Sequence, residues 1–359
     1  MRIVHILHNL RGGGMQNLLL SLAPMQVKMG NEVFLILTDA DNMEYSRKLR
    51  KKIEEFDVNV IKLDRKVGSV LSSILTLFKC YMSLHKLKAD IVNSHGAFNH
   101  NYAALGTVFT KSIHIPTIHS APEKWNKLGY WLNNKKSMIF CSQSAFEIND
   151  YKNNNSVVIA NGVDKDLVVS NKKSDLRKEI NISNDTKIIV GVGALREPKN
   201  YPFWVQLAKI CTDTNVHFFV CGGHKGQGFI NPSIFDGIDN LTWLGIRSDV
   251  PEIINEADCF LSCSSFEGMP IAVLEAFFSG IPCVLSPIPQ HIAVAKNIIE
   301  CYIPDKFEIS DFKEKIIVAC SSGKSHESIQ KKREPFLENF SIKKTAMEYI
   351  DFYKKSKLI

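Results

Sequence analysis

The sequence predicts an α/β protein built as two doubly wound domains facing each other across a cleft. Three observations carry that expectation. At 359 residues the chain is long for a single hydrophobic core. Short apolar runs alternate with helical periodicity along its whole length, the pattern of parallel sheets covered by helices. The alternation also starts afresh after a polar stretch that follows residue 164. The first domain is expected over residues 1–165 with a return helix from 340–359, and the second over 166–339.

Taken in order, residues 2–7 read as a strand, followed by the loop Leu10-Arg-Gly-Gly-Gly-Met-Gln16 and a helix over 17–30. Strands at 32–37 and 58–63 come next, then a helix over 71–86. A strand at 90–94 leads through His95-Gly96 into a helix over 101–109, and short strands follow at 116–119 and 137–141. Residues 157–164 end this half with a strand and an Asn-Gly turn, and 164–187 read as a connection. The second series places strands at 187–193, 216–221, 241–244, 259–262 and 282–285, with helices between them. The terminal segment 340–353 is amphipathic, with Phe340, Ile342, Met347, Ile350 and Tyr353 available for packing.

Bulk composition narrows the class. The chain is 45% hydrophobic and 23% charged, ordinary for a globular protein. No apolar run reaches the ~18 residues of a membrane span, and the first residues read as a strand instead of a leader peptide. The nine cysteines form no C-x-x-C pair, so buried, reduced thiols in a cytoplasmic protein are expected. Charge is uneven: residues 1–165 hold 21 Lys/Arg against 13 Asp/Glu, and residues 166–359 hold 23 against 24. A basic first half suits an anionic partner, either membrane lipid or a phosphorylated acceptor, although a solvated basic face explains the same excess. Nucleic acid is not an expected partner.

The stretch from Ser262 to Glu275 gathers the most chemistry. Pro270 suits the first position of a helix running 271–279 and stopping at Gly280. Gly268 allows a ligand close to the backbone, and free N–H groups at the helix start attract an anion. Glu267 precedes the helix and Glu275 lies about one turn inside it, so both can face one ligand. Gly12-Gly13-Gly14 and Gly191-Val-Gly193 follow strands where amides could touch a diphosphate. Neither completes the dinucleotide fingerprint, and each is equally a plain tight turn. In Leu195-Arg-Glu-Pro-Lys-Asn200, Arg196 and Lys199 could neutralise a leaving pyrophosphate from a strand end.

Other signals are less specific. His119 closes a strand and could touch a reacting sugar, with His95, His5 and His8 as competitors that the residues alone do not separate. The segment 124–136 interleaves lysines with Trp125, Tyr130 and Trp131, which suits an interfacial segment or amphipathic packing equally. Asp39-Ala-Asp41 is similar to a metal-binding acid pair but lacks partners, so it reads as a loop and no metal is assigned.

Together these residues resemble the retaining GT-B glycosyltransferases of family 4, which place seven residues between two acids as in Glu267-Gly-Met-Pro-Ile-Ala-Val-Leu-Glu275. The resemblance spans nearly the whole chain. It includes Gly12-Gly-Gly14, Asn161-Gly-Val-Asp164, Lys199-Asn200, Cys221-Gly-Gly223, Leu244-Gly245 and Gly280-Ile-Pro282. It implies that Glu275 holds the ribose of a nucleotide and Glu267 the hydroxyls of the donor sugar. Gly268, Met269 and Pro270 would frame sugar and phosphates, with Gly13, Gly14 and Leu274 also on the donor side. Gly245 and Ile246 would border the base. Lys199 would stabilise the leaving diphosphate, and His119 matches the histidine that contacts the donor sugar. One position departs: an arginine is usual where Ala194 stands, and Arg196 is two residues further on.

The resemblance therefore implies a hexosyltransferase that works with retention, without cofactor or metal. It would move a hexose or N-acetylhexosamine from a nucleotide diphosphate sugar, UDP-linked first, to a hydroxyl of a saccharide acceptor. A lipid-linked acceptor at the inner face of the cytoplasmic membrane, in O-antigen, capsule or other polysaccharide synthesis, suits the basic first half. The alternatives are a nucleotide-sugar epimerase of the same fold and a catalytically silent nucleotide-sugar-binding protein.

Overall fold

Segments such as Val33–Leu37 are apolar at consecutive positions, the pattern of strands buried on both faces. In the computed structural model they form the centres of two parallel sheets. It describes residues 1–11, 13–119, 125–150, 153, 155–170, 172–223 and 229–357. The chain divides into one unit of Met1–Gly162 with Ile342–Ile359, and a second of Val163–Ser341.

The first unit contains β1 (Arg2–Leu7), β2 (Glu32–Asp39), β3 (Asn59–Arg65), β4 (Ile91–His95), β5 (Ile113–Ile118), β6 (Ile139–Phe140) and β7 (Val157–Val158). They lie in the order β3-β2-β1-β4-β5-β6-β7, all pairs parallel. The direction of winding reverses between β1 and β4, and ligands of such sheets gather beyond the strand ends at that point. The helix Ile342–Ser356 belongs to this unit and buries Tyr349 and Tyr353 in its core. Met347 instead remains 51% exposed, contrary to the packing role expected for it.

Helix bounds differ from the sequence reading where glycine sets the entry. The helix expected over 17–30 runs Gly14–Lys28 from Gly13, and that over 101–109 runs Ala97–Gly106 from Gly96. Both entry glycines have positive φ, 137° and 86°, which places the first helical residue directly after them. The helix Glu44–Glu54 escaped the sequence reading because its apolar stripe is thin: Tyr45, Leu49 and Ile53 recur every fourth residue among charged side chains, and only Ser46 and Ile53 are buried. The expected connection 164–187 contains the short helices Lys165–Val168 and Leu176–Ile180.

The second unit contains β8 (Lys187–Val192), β9 (Val216–Cys221), β10 (Leu241–Gly245), β11 (Cys259–Ser262), β12 (Cys283–Leu285) and β13 (Cys301–Tyr302). Their order is β10-β9-β8-β11-β12-β13, again parallel, with the reversal between β8 and β11. After β11 comes the helix Ile271–Phe278. Pro270 is its N-cap and not its first residue, because ψ of 72° at Pro270 is outside the helical range. At the other end Gly280 has φ of 74°. The buried Arg333 donates to the Phe277 and Ile281 carbonyls (3.4 and 2.9 Å), satisfying acceptors at and beyond the helix end.

A Cβ at Gly280 would stand 2.1 Å from the His326 carbonyl oxygen. Gly280→Ala is therefore expected to destabilise the second unit by about 2 kcal/mol or more, through left-handed strain plus a backbone clash. An unchanged melting temperature would contradict this account of the helix end. All nine cysteines are unpaired, with Cys301 and Cys320 only partly buried. Among the described residues no helix is long and apolar enough to cross a membrane.

Candidate functional site

The second unit's strand reversal brings two loops together. One leaves β8 through Gly193, turns at Glu197–Lys199 and enters the helix Tyr201–Ile210 by way of Asn200 in the left-handed region. The other leaves β11 and carries Ser264 and Glu267. The Ser265 amide donates to the Pro198 carbonyl at 2.8 Å and ties the loops to each other. Lys199 Nζ then reaches Glu267 Oε1 at 2.6 Å, and Ser264 Oγ donates to the same oxygen at 2.7 Å. The side chains are only 27% and 10% exposed, so this charge-assisted bond is held largely out of water.

Glycine makes room for the lysine stem. A Cβ on Gly193 would lie 3.0 Å from Lys199 Cε, and the Gly193 carbonyl accepts from the Tyr201 hydroxyl at 2.6 Å. Behind the loop, buried His291 faces the Ser262 and Ser286 hydroxyls at 3.4 and 3.0 Å. Burial pushes its pKa down to about 4, and the nearby Glu267 opposes that shift only in part. His291 is thus a neutral neighbour at pH 7, and Lys199 supplies the positive charge facing Glu267.

Ser264, Tyr201 and His291 were not among the sequence candidates. Ser264 stands inside the stretch already singled out, and Tyr201 directly follows Lys199-Asn200, so proximity was the available signal. For His291 there was none.

The remaining donor-side candidates are distributed as follows. Gly268 and Met269 are half-buried before the helix, Pro270 is buried, and Glu275 is half-buried within the helix. Leu274 is 0% exposed in the core. Its side chain packs within that core cluster. Gly245, with φ of 69°, and exposed Ile246 end β10. Arg196 places its guanidinium 4.6 Å from the Phe229 ring centroid, a cation–π contact, while its backbone bridges the same residue.

In the first unit the histidine question has a geometric answer. Neighbouring strands carry His5 on β1 and His95 at the end of β4, and His119 follows β5. His5 Nδ1 lies 3.0 Å from His95 Nε2, and His95 Nδ1 lies 2.8 Å from His119 Nε2. The far end is Gln26, whose Oε1 is 2.8 Å from His5 Nε2. A neutral imidazole donates from one nitrogen and accepts at the other, so the three tautomers are set together. With the Gln26 oxygen facing His5, every ring carries its proton on Nε2. His119 Nδ1, buried and without a hydrogen-bond partner, then presents a lone pair. Burial holds His5 near 4 and His119 near 3, and lowers His95 well below its usual range, so the chain is neutral at pH 7.

The other first-unit candidates are less concentrated. Gly13 caps and Gly14 opens the first helix, while Gly12 lies outside the described residues. Asp39 is buried and takes two bonds from Arg65 (2.8 and 2.7 Å), and Asp41 pairs with Arg11 at 3.3 Å. These partners occupy the acids with guanidinium groups. Among the described residues no cluster of three His, Cys, Asp or Glu could hold a metal ion. Within 124–136, Lys124 lies outside the described residues. Trp125 packs edge-on to His100, whereas Leu128, Tyr130 and Trp131 of the helix Lys127–Asn133 are exposed.

Comparison with known proteins gives concordant matches for both halves. Residues 12–167 match the model of Glycosyltransferase Family 4, and residues 172–334 that of Glycosyl transferases group 1. Over 318 residues the chain is 24% identical to the UDP-Gal:alpha-D-GlcNAc-diphosphoundecaprenol alpha-1,3-galactosyltransferase of Escherichia coli, covering 79% of this chain and 80% of that protein. It is 27% identical to the O-antigen biosynthesis glycosyltransferase WclY of Escherichia coli, over 55% of this chain and 54% of that one. The crystal structure of Anabaena Alr3699/HepE in complex with UDP and glucose superposes with a TM-score of 0.80 at 16% identity. That match covers 99% of this chain and 100% of the other, and it establishes the fold as GT-B.

Proposed function

Because the chain belongs to the family 4 and group 1 glycosyltransferases, we propose that it transfers a hexose or N-acetylhexosamine from a UDP-sugar, with retention, to a hydroxyl of a lipid-linked saccharide. The observation that carries this reading is the Lys199–Glu267–Ser264 cluster at the strand reversal of the second unit. It offers one cation for a leaving diphosphate beside one carboxylate for sugar hydroxyls, and both Glu267 bonds converge on a single oxygen, Oε1. The acceptor class is suggested by the Escherichia coli relative named for a diphosphoundecaprenol-linked substrate. The process in this reading is cell-surface polysaccharide synthesis at the cytoplasmic side of the membrane, a reading supported by the Escherichia coli relative named for O-antigen biosynthesis.

In this reading Glu275 holds the ribose, and Gly268 and Met269 lie along the sugar and phosphates. As the glycosidic C–O bond breaks, the electron pair goes to the diphosphate oxygen, and Lys199 stabilises the charge that develops there. The acceptor oxygen attacks from the same face and passes its proton to the departing phosphate. In the first unit His119, held by His95, offers its Nδ1 lone pair to a sugar hydroxyl. Lys199 supplies the charge that a metal would otherwise bring, so chelation with EDTA is expected to leave turnover unchanged.

A thermal-shift series against UDP- and GDP-sugars tests the donor. A ligand at 100 times its Kd adds about 2.7 kcal/mol to the state that binds it. Glu275→Ala should abolish the shift by UDP itself, whereas Glu267→Ala should keep it and lose turnover instead. Equal loss of UDP binding in both variants would sink this division of roles.

A further inference from the structure

The helix Val70–Leu87 has two apolar faces, and the unit covers only one. Toward the core it buries Thr76, Cys80 and Leu84. On the opposite side Val70, Leu71, Ile74, Leu75, Phe78 and Met82 are between 50% and 76% exposed. Their spacing keeps them on one continuous arc, where a helix of a globular protein normally sets charged side chains. An exposed apolar patch of this kind marks a contact surface.

Charge selects the occupant. No Asp or Glu occurs between Arg65 and Ala89, while Lys66, Lys79, Lys86 and Lys88 are all exposed. On the helical projection Lys79 and Lys86 fall beside Leu75 and Met82, at one edge of the apolar arc. A second copy presenting the same face would bring lysine against lysine with no acid to answer it. An anionic lipid surface meets both features at once. Acyl chains take the apolar side chains, and the lysine stems extend to bring their ammonium groups to the headgroups. The helix is about 27 Å long, with one face committed to the core, so it suits lying in the plane of a membrane.

We propose that the Val70–Leu87 face docks the protein on an anionic membrane. The proposal rests on the lipid-linked acceptor reading for its purpose, since a polyprenyl-linked sugar is reached only at a bilayer surface. Alongside the segment 124–136, whose Leu128, Tyr130 and Trp131 are also exposed, it adds this helix as an interfacial element. Beside it lies Phe109, 89% exposed and just past the helix Ala97–Gly106, whose Gly106 abuts Cys80 and Leu84.

Flotation of the full chain with phosphatidylglycerol-containing vesicles, and with phosphatidylcholine vesicles as reference, reads the interaction. Wild type should float with the anionic vesicles and be released by high salt. The Ile74→Glu, Phe78→Glu double variant should lose at least tenfold in binding. Lys66→Gln with Lys86→Gln should lose about fivefold for each charge removed. Phe78→Ser serves if the double variant fails to fold. Wild-type protein that ignores both vesicle types, or variants that bind as well as wild type, would overturn the proposal. So would a concentration-dependent dimer by light scattering that the same variants abolish, because the face would then belong to a second copy. Vesicle binding without any nucleotide-sugar stabilisation would instead remove the donor reading and leave this surface standing.

Discussion

Lys199→Ala is expected to lower kcat/KM for the nucleotide sugar by about 100- to 1,000-fold, the scale seen when one preorganised group at a developing charge is removed. The effect has two parts. The variant loses the attraction between an ammonium group and the leaving diphosphate. It also leaves Glu267, 10% exposed, as an uncompensated carboxylate beside the position where phosphates bind. The second part is removable. Adding Glu267→Gln to Lys199→Ala deletes the repulsion while retaining a hydrogen-bonding side chain within reach of Ser264. The double variant is therefore expected to lose less than the sum of the single losses. Steady-state kinetics on the four proteins of the cycle measure that difference. Strict additivity would mean that the 2.6 Å pair has no bearing on the reaction. Lys199→Arg should rescue poorly, because a planar guanidinium does not fit the space that Gly193 leaves for a lysine stem.

Much of the fold was legible because strands such as β1 and β2 are buried on both faces and read as unbroken apolar runs. Glu44–Glu54 was not read, because its periodic trace rests on three apolar residues, Tyr45, Leu49 and Ile53, set among charged ones. The site divided along the same line. Lys199 and Glu267 were individually visible as charged residues at strand ends, but they are 68 positions apart and meet only because β8 and β11 are neighbours. The histidine chain needs a register that no local pattern encodes. His5 stands opposite Asn93 and His95 opposite Thr117, which brings the rings to 5.3 and 5.1 Å between centroids. Leu274 shows the converse limit, since its place in the motif did not reveal that its side chain lies in the core. The helix 71–86 was read as helical from its apolar residues, yet those residues serve two opposite faces, and periodicity alone did not assign them.

Acid is expected to unfold the first unit before the second. His5, His95, His114 and His119 all have pKa values lowered by burial, to about 4 for His5 and about 3 for His119. Unfolded, each titrates near 6.5. Between pH 6.5 and about 4 the unfolded chain therefore binds more protons than the folded one, so stability falls as pH falls. Above 6.5 all four are neutral in both states and contribute no slope. Each histidine adds up to about 1.4 kcal/mol of loss per pH unit, and four acting together would consume a typical domain stability of about 5–15 kcal/mol within a few units. The second unit has one histidine of comparable shift, His291 at about 4, with smaller effects at His217 and His326. Hydrogen exchange read by mass spectrometry, corrected for the intrinsic pH dependence, should show residues 1–162 losing protection between pH 6.5 and 5 while 163–341 keep theirs. His114→Gln should shift that loss to lower pH, since one proton-uptake site is gone and its neighbour Ser94 keeps the His100 contact at 2.7 Å. Equal protection of both units down to pH 5 would show that the imidazoles are not held neutral by the fold.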